Sequence, residues 1–238
     1  MDNNKYKVKY RNDLNLVPLR RFNAKEMDLF FALCSRMRDK ELEEVRFTFE
    51  QLKHLSDYKM TATKAFVKDL QSLYKNMLQL TYKREDDEKI EYFVLFTGFE
   101  INKKDKYVDI SVNPKLAYII NNINKEFTAF ELAKFTTLKS SYSKTLYRLL
   151  MQFRNAHSFI IKVSDFREVF DVPKSYQMTH IDRKILKPAI EELSIYFDYL
   201  TLEKVKEKGK NKIDRFVFRF KEKHDLPTIP MHNWLEGI

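Results

Sequence analysis

The sequence contains little glycine, cysteine or histidine, and each shortage excludes a class of chemistry. Three glycines among 238 residues are too few for a glycine-rich phosphate loop, so we expect no ATPase activity. The single cysteine, Cys34, permits no disulfide framework and lies at helical spacing among apolar residues, where a buried hydrophobe is expected. The five histidines are scattered and form no zinc-binding spacing. We therefore expect no metal site and no cofactor.

Long hydrophobic runs are also missing from the chain. No stretch of about 18 apolar residues occurs, and the first residues lack the apolar segment of a signal peptide. We therefore expect a cytoplasmic protein with no membrane partner. Hydrophobic residues nevertheless make up 44% of the chain, which is enough for packed cores. The formal net charge is +10 and both halves are basic, which favours an anionic partner such as nucleic acid.

One pattern of apolar residues occurs twice along the chain. The copies, at 46–58 and 161–172, have apolar positions at helical spacing with a constant offset of 114 residues. These positions are Phe49, Leu52 and Leu55 in the first copy and Val163, Phe166 and Val169 in the second. Each copy is followed by a second predicted helix and preceded by a longer amphipathic one, at 23–39 and at 140–155. The repeat indicates two units of similar structure, although so approximate a repeat also arises by chance in helix-rich chains.

Alternating strands are predicted after each pair of helices. They cover 79–84, 91–100 and 107–112 in the first half, and 196–205 and 213–221 in the second. Helix, short strand, helix, turn, helix and β-hairpin is the order of a winged helix-turn-helix. We therefore predict an α+β fold of two tandem winged helix-turn-helix domains, mostly helical with β-hairpin wings. The polar stretch at 121–128 places the domains at 1–125 and 126–225, followed by an irregular tail at 226–238.

The segment 177–193, which follows the turn of the second unit, has two different faces. Its apolar residues collect on one side, whereas four basic residues at i, i+3, i+4 and i+7 form a stripe almost opposite. Thr179 is the predicted N-cap, with Asp182 three residues later completing a capping box. Pro188 cannot donate a hydrogen bond to the carbonyl of Lys184, which predicts a bend in the helix.

The basic stripe is a candidate DNA-binding surface. A solvated charged face is the ordinary explanation for such a stripe. Its position after the turn, the neighbouring polar donors and the basic net charge favour contact with phosphates and base edges instead. The candidate residues are Lys174, Ser175, Tyr176, Gln177, Thr179, His180, Arg183, Lys184 and Lys187.

Three further groups of residues are weaker candidates for DNA contact. The loop at 205–212 resembles a wing tip over a phosphate backbone, although a flexible solubilising turn has the same composition. The start of the helix at 140–155 combines a serine cap, at Ser140 or Ser141, with two lysines, although an ordinary capped helix explains it slightly better. The second helix of the first unit supplies a third group. The residues of the three groups are Lys206, Lys208, Lys210 and Lys212; Lys139, Ser141 and Lys144; and Thr61, Lys64 and Lys68.

Three stretches carry a resemblance to a known family. SYSKTLYRLLMQF at 141–153, VSDFREVFDV at 163–172 and RKILKPAIEEL at 183–193 resemble the initiator (Rep) proteins of iteron-type, theta-replicating plasmids. The resemblance is clearest from 126 to 221. It implies that the C-terminal winged helix reads repeated origin sequences through its major-groove helix, and that the N-terminal one mediates dimerisation and adds backbone contacts. The leucines near the N-terminus are too close and too few for the leucine-zipper-like start of larger relatives.

Three functions remain open at this point. The leading hypothesis is a plasmid replication initiator that binds double-stranded origin repeats, forms a homodimer with a monomeric form on those repeats, and helps to open AT-rich DNA for the host initiator and helicase machinery. Repression of its own gene would accompany this role. A winged-helix transcriptional repressor with no replication role is the alternative, and a metal-free nucleic-acid enzyme is the third. No two histidines are separated by one residue, as nicking initiators of the rolling-circle kind require, so we predict a binding protein and not an enzyme.

Overall fold

The structure is a computed structural model that describes residues 7–19, 21–38, 40, 44–60 and 62–223. Its α-helices are α1 (Asp13–Leu16), α2 (Ala24–Met37), α3 (Phe49–Leu55), α4 (Thr63–Met77), α5 (Leu132–Thr136), α6 (Ser141–Gln152), α7 (Val163–Val169), α8 (Met178–Ile181) and α9 (Lys187–Leu193). A 3-10 helix covers Pro114–Ile119, and a π-helical segment, Asp182–Leu186, joins α8 to α9. The strands are β1 (Lys7–Arg11), β2 (Val45–Thr48), β3 (Thr81–Glu85), β4 (Ile90–Val94), β5 (Phe96–Asn102), β6 (Tyr107–Val112), β7 (Phe127–Glu131), β8 (Ser158–Lys162), β9 (Phe197–Lys206) and β10 (Ile213–Glu222). The predicted tail at 226–238 lies outside the described residues.

The elements form two units with the same order and the same sheet topology. In the first unit α2, β2, α3 and α4 are followed by β5 and β6, and the strands lie in the order β2-β6-β5. In the second unit α6, β8, α7 and α8 to α9 are followed by β9 and β10, in the order β8-β10-β9. We name α8, the π-helical segment and α9 together the composite helix. The predicted pair of winged helix-turn-helix units is confirmed.

The turn after the first short helix has the same backbone geometry in both units. Asp57 and Asp171, which are 114 residues apart, both adopt left-handed conformations with φ of 50° and 48°. The amide that follows each aspartate donates to a carbonyl five residues earlier, at 2.8 Å for Tyr58 and 2.9 Å for Val172. Aspartate tolerates this conformation better than most residues do. The constant offset in the sequence therefore reflects one turn built twice.

One predicted strand, 91–100, is wrong as a single element. The chain changes sheets at Leu95, so β4 pairs with β3 in a separate hairpin, whereas β5 joins the sheet of the first unit. Leu95 is buried, its carbonyl accepts the amide of Asn113, and the Asn113 side chain donates to the carbonyl of Val94. The hairpin β3–β4 is thus an addition to the first unit, and β5–β6 is the pair that corresponds to β9–β10.

A single hydrophobic core connects the two units. Phe31 on α2 contacts Phe130 on β7, Phe130 contacts Tyr147 on α6, and Tyr147 contacts Phe197 on β9, with ring centroids 5.7, 5.5 and 5.8 Å apart. Strand β7 also pairs antiparallel with β1 at the start of the chain. Residues on both sides of the predicted boundary at 125 therefore share one core, and the domain limits themselves stay a prediction.

Cys34 is buried, as its spacing predicts, and burial raises the pKa of its thiol well above the ordinary value.

Among the described residues, no helix combines the length and the apolar composition that a membrane span needs.

Candidate nucleic-acid interface

The composite helix buries one face and exposes the other, as its two-sided pattern predicts. Its apolar side chains pack into the core of the second unit; they are Ile181, Ile185, Leu186, Ala189 and Leu193. Arg183, Lys184 and Lys187 are exposed. We name these three residues the basic face. Because the apolar side is anchored in the core, the basic face points to solvent in a fixed direction.

The helix begins earlier than its predicted cap. Gln177 and not Thr179 is the N-cap, so α8 starts at Met178, and the Gln177 amide donates to Nδ1 of His180 at 3.3 Å. Asp182 completes no capping box. Its carboxylate instead forms an ion pair with Lys204 on β9. The carboxylate within the predicted DNA-facing turn is therefore directed to the sheet and neutralised there.

Tyr176 connects the turn to the first turns of the composite helix. The Arg167 guanidinium donates to the carbonyl of Tyr176 at 2.7 Å. The Tyr176 ring lies 5.6 Å from the His180 ring, and the Lys184 ammonium lies 4.8 Å from its centroid, within cation–π range. These contacts connect the turn to Lys184 of the basic face.

The chain departs from α-helical geometry just before Pro188, where Asp182–Leu186 is π-helical, and the predicted bend itself stays a prediction. Pro188 is the second residue of α9, and it has no N–H to offer the carbonyl of Lys184. In the π-helical segment the Lys187 amide donates to the carbonyl of Asp182, five residues earlier. A π turn holds one residue more than an α turn, so it rotates the residues before it relative to those after it. The orientation of the basic face relative to α9 therefore depends on this segment.

The other candidates near the composite helix are accessible. Lys174, Ser175, Gln177 and Thr179 are exposed, and Tyr176 and His180 are half-buried. The structure brings these donors together with the basic face at the end of the helix-turn-helix.

The predicted wing consists of the end of β9, at Lys206, and the loop between β9 and β10, and its four lysines are exposed. Gly209 at its tip has φ of +77°, a conformation that favours glycine, with no atom within 4 Å of the position that a Cβ would take. Lys206 donates to the Asn211 side chain at 2.5 Å, and Lys210 pairs with Glu207 at 2.6 Å. The loop thus presents a basic tip with a defined backbone turn.

The phosphate site predicted at the start of α6 stays a prediction for Lys139 and Ser141, and the structure contradicts it for Lys144. Ser140 and not Ser141 caps the helix, and its hydroxyl accepts the Tyr142 amide. The backbone amide of the exposed Lys139 donates to the carboxylate of Glu192 at 2.6 Å. A carboxylate of the protein itself therefore lies beside the start of α6.

Lys144, the third residue of that predicted site, is fully buried. Its ammonium contacts the Asp28 carboxylate at 2.5 Å and the carbonyl of Phe135 at 2.7 Å. Burial raises the pKa of Asp28 to about 7; Lys144 opposes this shift and Asp57 adds to it. Burial likewise lowers the pKa of Lys144, against the effect of Asp28. Both shifts express the same cost of holding two charges away from water.

The raised pKa of Asp28 predicts a pH dependence of stability. The folded pKa of about 7 exceeds the ordinary value of 3.8, so the folded state binds this proton more tightly. Between about pH 4 and 7 the Asp28 contribution should fall as pH rises, by up to about 1.4 kcal/mol per unit. Asp28→Asn should remove this slope, and urea unfolding at a series of pH values measures it. Parallel profiles for the two proteins from pH 4 to 7 would contradict the assignment.

The first unit exposes a second set of basic residues. Lys64 and Lys68 lie one turn apart on the surface of α4, whereas Thr61 lies outside the described residues. Lys103, Lys104 and Lys106 are exposed in the turn between β5 and β6, where the Asn102 side chain accepts the amides of Lys104 and Asp105. The sequence interpretation missed these three lysines, although NKKDK between two alternating strands is a hairpin signal of its own.

Among the described residues no group of three or more His, Cys, Asp or Glu side chains could hold a metal ion.

Comparisons with known proteins match two successive parts of the chain. The model of the family described as "Initiator Replication protein, WH1" matches residues 7–151, and that described as "Initiator Rep protein, WH2" matches residues 162–220. A probable replication protein Rep of Bifidobacterium longum (strain NCC 2705) is 34% identical over 216 residues, covering 90% of this chain and 72% of that protein. The crystal structure of the Pi initiator protein in complex with iteron DNA is similar in fold, with a TM-score of 0.71 and 18% identity over 93% of this chain and 99% of that chain.

Proposed function

Because the chain belongs to the initiator replication protein family, we propose that it initiates plasmid replication by binding directly repeated origin DNA, the iterons, through its second winged helix. The observation that carries this proposal is the composite helix, whose basic face is exposed while its apolar side is anchored in the core. The Pi initiator protein, which has the same fold, is known in complex with iteron DNA, and this supports the choice of ligand.

In the proposed complex the composite helix lies in the major groove. Arg183 is the residue suited to a bidentate contact with guanine, and Gln177 and Thr179 offer donors and acceptors to base edges. Lys174, Lys184 and Lys187 suit neighbouring phosphates. The pairing of Asp182 with Lys204 favours this arrangement because it keeps a carboxylate away from the DNA.

We assign the wing between β9 and β10 to the phosphate backbone. Lys208→Ala and Lys210→Ala should weaken binding to cognate and unrelated DNA alike, because phosphate contacts carry no sequence information. Each should lower the slope of log affinity against log salt by roughly one unit for each lost contact. Fluorescence anisotropy at several salt concentrations measures both effects.

A matched control for the wing is Lys89→Ala, which removes an exposed lysine between β3 and β4, where Glu91 already pairs with it. This control should leave the salt slope unchanged. A loss of discrimination between cognate and unrelated DNA in the wing variants, with the slope kept, would mean that the wing and the composite helix have exchanged roles.

The first unit is proposed to add backbone contacts and to mediate dimerisation. Lys64, Lys68 and the lysines of the β5–β6 turn form its basic surface. Strand β4 carries two exposed hydrophobic side chains, Ile90 at 56% and Tyr92 at 65%, and within the described residues it pairs only with β3. An open strand edge with exposed apolar side chains suits a second copy of the chain. A monomeric form on the origin repeats would leave this edge free.

The protein is proposed to act by binding and not by catalysis. Bound at several repeats, it would distort the adjacent AT-rich DNA and present it to the host initiator and helicase machinery in the bacterial cytoplasm. Binding near its own promoter would also repress its gene.

Plasmid establishment tests the proposal directly. A plasmid that carries the origin but lacks this gene should be maintained only when the chain is supplied from a second plasmid, and the Arg183→Ala/Lys184→Ala variant should fail to maintain it. Maintenance without the chain, together with repression of a reporter by the chain, would favour the transcriptional repressor instead.

A further inference from the structure

Helix α6 carries three polar side chains at a spacing of four residues. Lys144, Arg148 and Gln152 therefore lie on one face of the helix. Lys144 is 0% exposed and Arg148 is 3% exposed, which is unusual for basic residues. All three bind groups that come from earlier in the chain, and we name them the polar stripe.

The first residue of the stripe binds the helix that opens the first unit. Lys144 reaches Asp28 on α2 and also the carbonyl of Phe135, and its ammonium lies 4.6 Å from the Phe135 ring centroid. Asp28 is itself buried. The pair therefore bridges α6 and α2 with no access to water for the ammonium.

The rest of the stripe binds the N-terminal segment formed by β1 and α1. Arg148 donates to Oδ1 of Asn15 at 2.9 Å, to the hydroxyl of Tyr10 at 3.2 Å and to the carbonyl of Leu14 at 3.2 Å. The Asn15 side chain in turn donates to Oε1 of Gln152 at 2.8 Å. Asn15 thus joins the second and third residues of the stripe, and the network has directional bonds along the whole helix.

Other side chains of α6 contact the second unit. The helix packs against α9, and the Tyr147 ring lies 5.8 Å from the ring of Phe197 on β9. Helix α6 is therefore held by polar bonds to α2 of the first unit and to the N-terminal segment, and by apolar contacts to α9 and β9 of the second unit. Any rotation of α6 relative to α2 would move the basic face relative to the lysines of the first unit.

Apolar and polar contacts differ in how strongly they fix an orientation. Hydrophobic cores tolerate altered packing and lose uniqueness before they lose stability. A buried charge does not tolerate such changes. Burial removes water from the charged group, and only a donor or acceptor in the right direction offsets the cost of that desolvation. Removing both partners of a buried pair, in contrast, is often neutral for stability.

We propose that Lys144, Arg148 and Gln152 are positioning residues that set the orientation of the first unit relative to the composite helix. This orientation would determine the geometry in which both units bind one origin repeat. The binding part of this inference rests on the proposed function. The orientation part does not, since it concerns the free protein.

Spin labels on the full chain test the orientation. Ser72→Cys on α4 and Thr201→Cys on β9 are exposed positions, one in each unit, and the buried Cys34 thiol does not compete for the label. We expect one narrow distance distribution in the parent and a broadened one in Asp28→Leu/Lys144→Met, with a melting temperature that is not lowered. If the bound orientation then makes up about a tenth of the population, affinity for the origin repeat falls about tenfold.

A local pair of the same chemistry provides the control. Lys134 is buried and pairs with Glu131 at 2.8 Å, only three residues away, so this ion pair is local in the chain. Glu131→Leu/Lys134→Met should keep the narrow distribution and the affinity of the parent. A distribution as narrow as the parent's in Asp28→Leu/Lys144→Met would overturn the proposal.

If Asp28→Leu/Lys144→Met does not fold, Arg148→Met serves the same purpose, because it removes the buried guanidinium that binds Tyr10, Leu14 and Asn15 and keeps the Lys144–Asp28 pair. Broadening again supports the proposal and an unchanged distribution again overturns it. The distances are measured without DNA. A parent that binds no origin repeat would therefore refute the proposed function and leave the orientation result standing.

Discussion

Arg183→Ala should weaken binding to the cognate origin repeat by about 5- to 150-fold, equivalent to about 1 to 3 kcal/mol. The expected loss is this large because a guanidinium that binds a guanine edge bidentately makes two hydrogen bonds that alanine cannot replace. Stability should not change, since Arg183 is exposed and lies opposite the buried side of the composite helix. Anisotropy titration with cognate and scrambled repeats, alongside thermal unfolding, measures both quantities.

Scrambled DNA distinguishes base reading from charge at this position. Arg183→Lys keeps the positive charge but loses the bidentate geometry, so it should retain binding to scrambled DNA and lose much of the preference for the repeat. Unchanged affinity for the repeat in Arg183→Ala, with an unchanged melting temperature, would show that the basic face is a solvated surface only.

Pro188→Ala is the second variant with a large expected effect. Alanine restores an N–H that can bond to the carbonyl of Lys184, so the π-helical segment can revert to an α-helical one. That change removes one residue from the turn and rotates His180, Arg183 and Lys184 relative to the core-anchored α9. Several contacts then move together, and the loss of affinity should be at least as large as that of Arg183→Ala.

The melting temperature should not fall in Pro188→Ala, in contrast to the affinity for DNA. Proline within a helix costs about 3 kcal/mol relative to alanine, although less near a helix start such as this one. The melting temperature should therefore stay the same or rise while the affinity falls. Glu191→Ala, an exposed change on the same helix, is the control and should alter neither quantity. An affinity equal to the parent's in a stable Pro188→Ala protein would show that the π turn does not contribute to DNA binding.

The sequence predicts the fold well where local periodicity decides the structure. The spacing of Phe49, Leu52 and Leu55, repeated in the second unit, fixes α3 and α7, and their common turn at Asp57 and Asp171 follows. These features depend on residues that are neighbours along the chain. For the same reason the composite helix and its buried side could be predicted without the structure.

Features that depend on distant residues could not be predicted in this way. From the sequence, Lys144 at the start of an amphipathic helix is predicted to be an exposed cation. Its partner Asp28 lies 116 residues earlier, so the local pattern does not indicate that it is buried. Likewise, the carboxylate beside the start of α6 belongs to Glu192 on α9, which is 53 residues from the Lys139 amide that it accepts. The change of sheet at Leu95 depends on Asn113. In each case a residue that is distant in the sequence determines the local structure, and the local pattern does not predict that residue.

Footprinting of the full chain on the DNA around its own origin shows whether the protein binds iterons and opens the DNA beside them. We expect protection of several direct repeats of one sequence, evenly spaced and next to an AT-rich tract that becomes sensitive to single-strand reagents. Arg183→Ala should lose all of these protected segments together. Protection of one isolated palindrome at a promoter, with no repeats and no opening of AT-rich DNA, would show that the protein is a repressor and not an initiator.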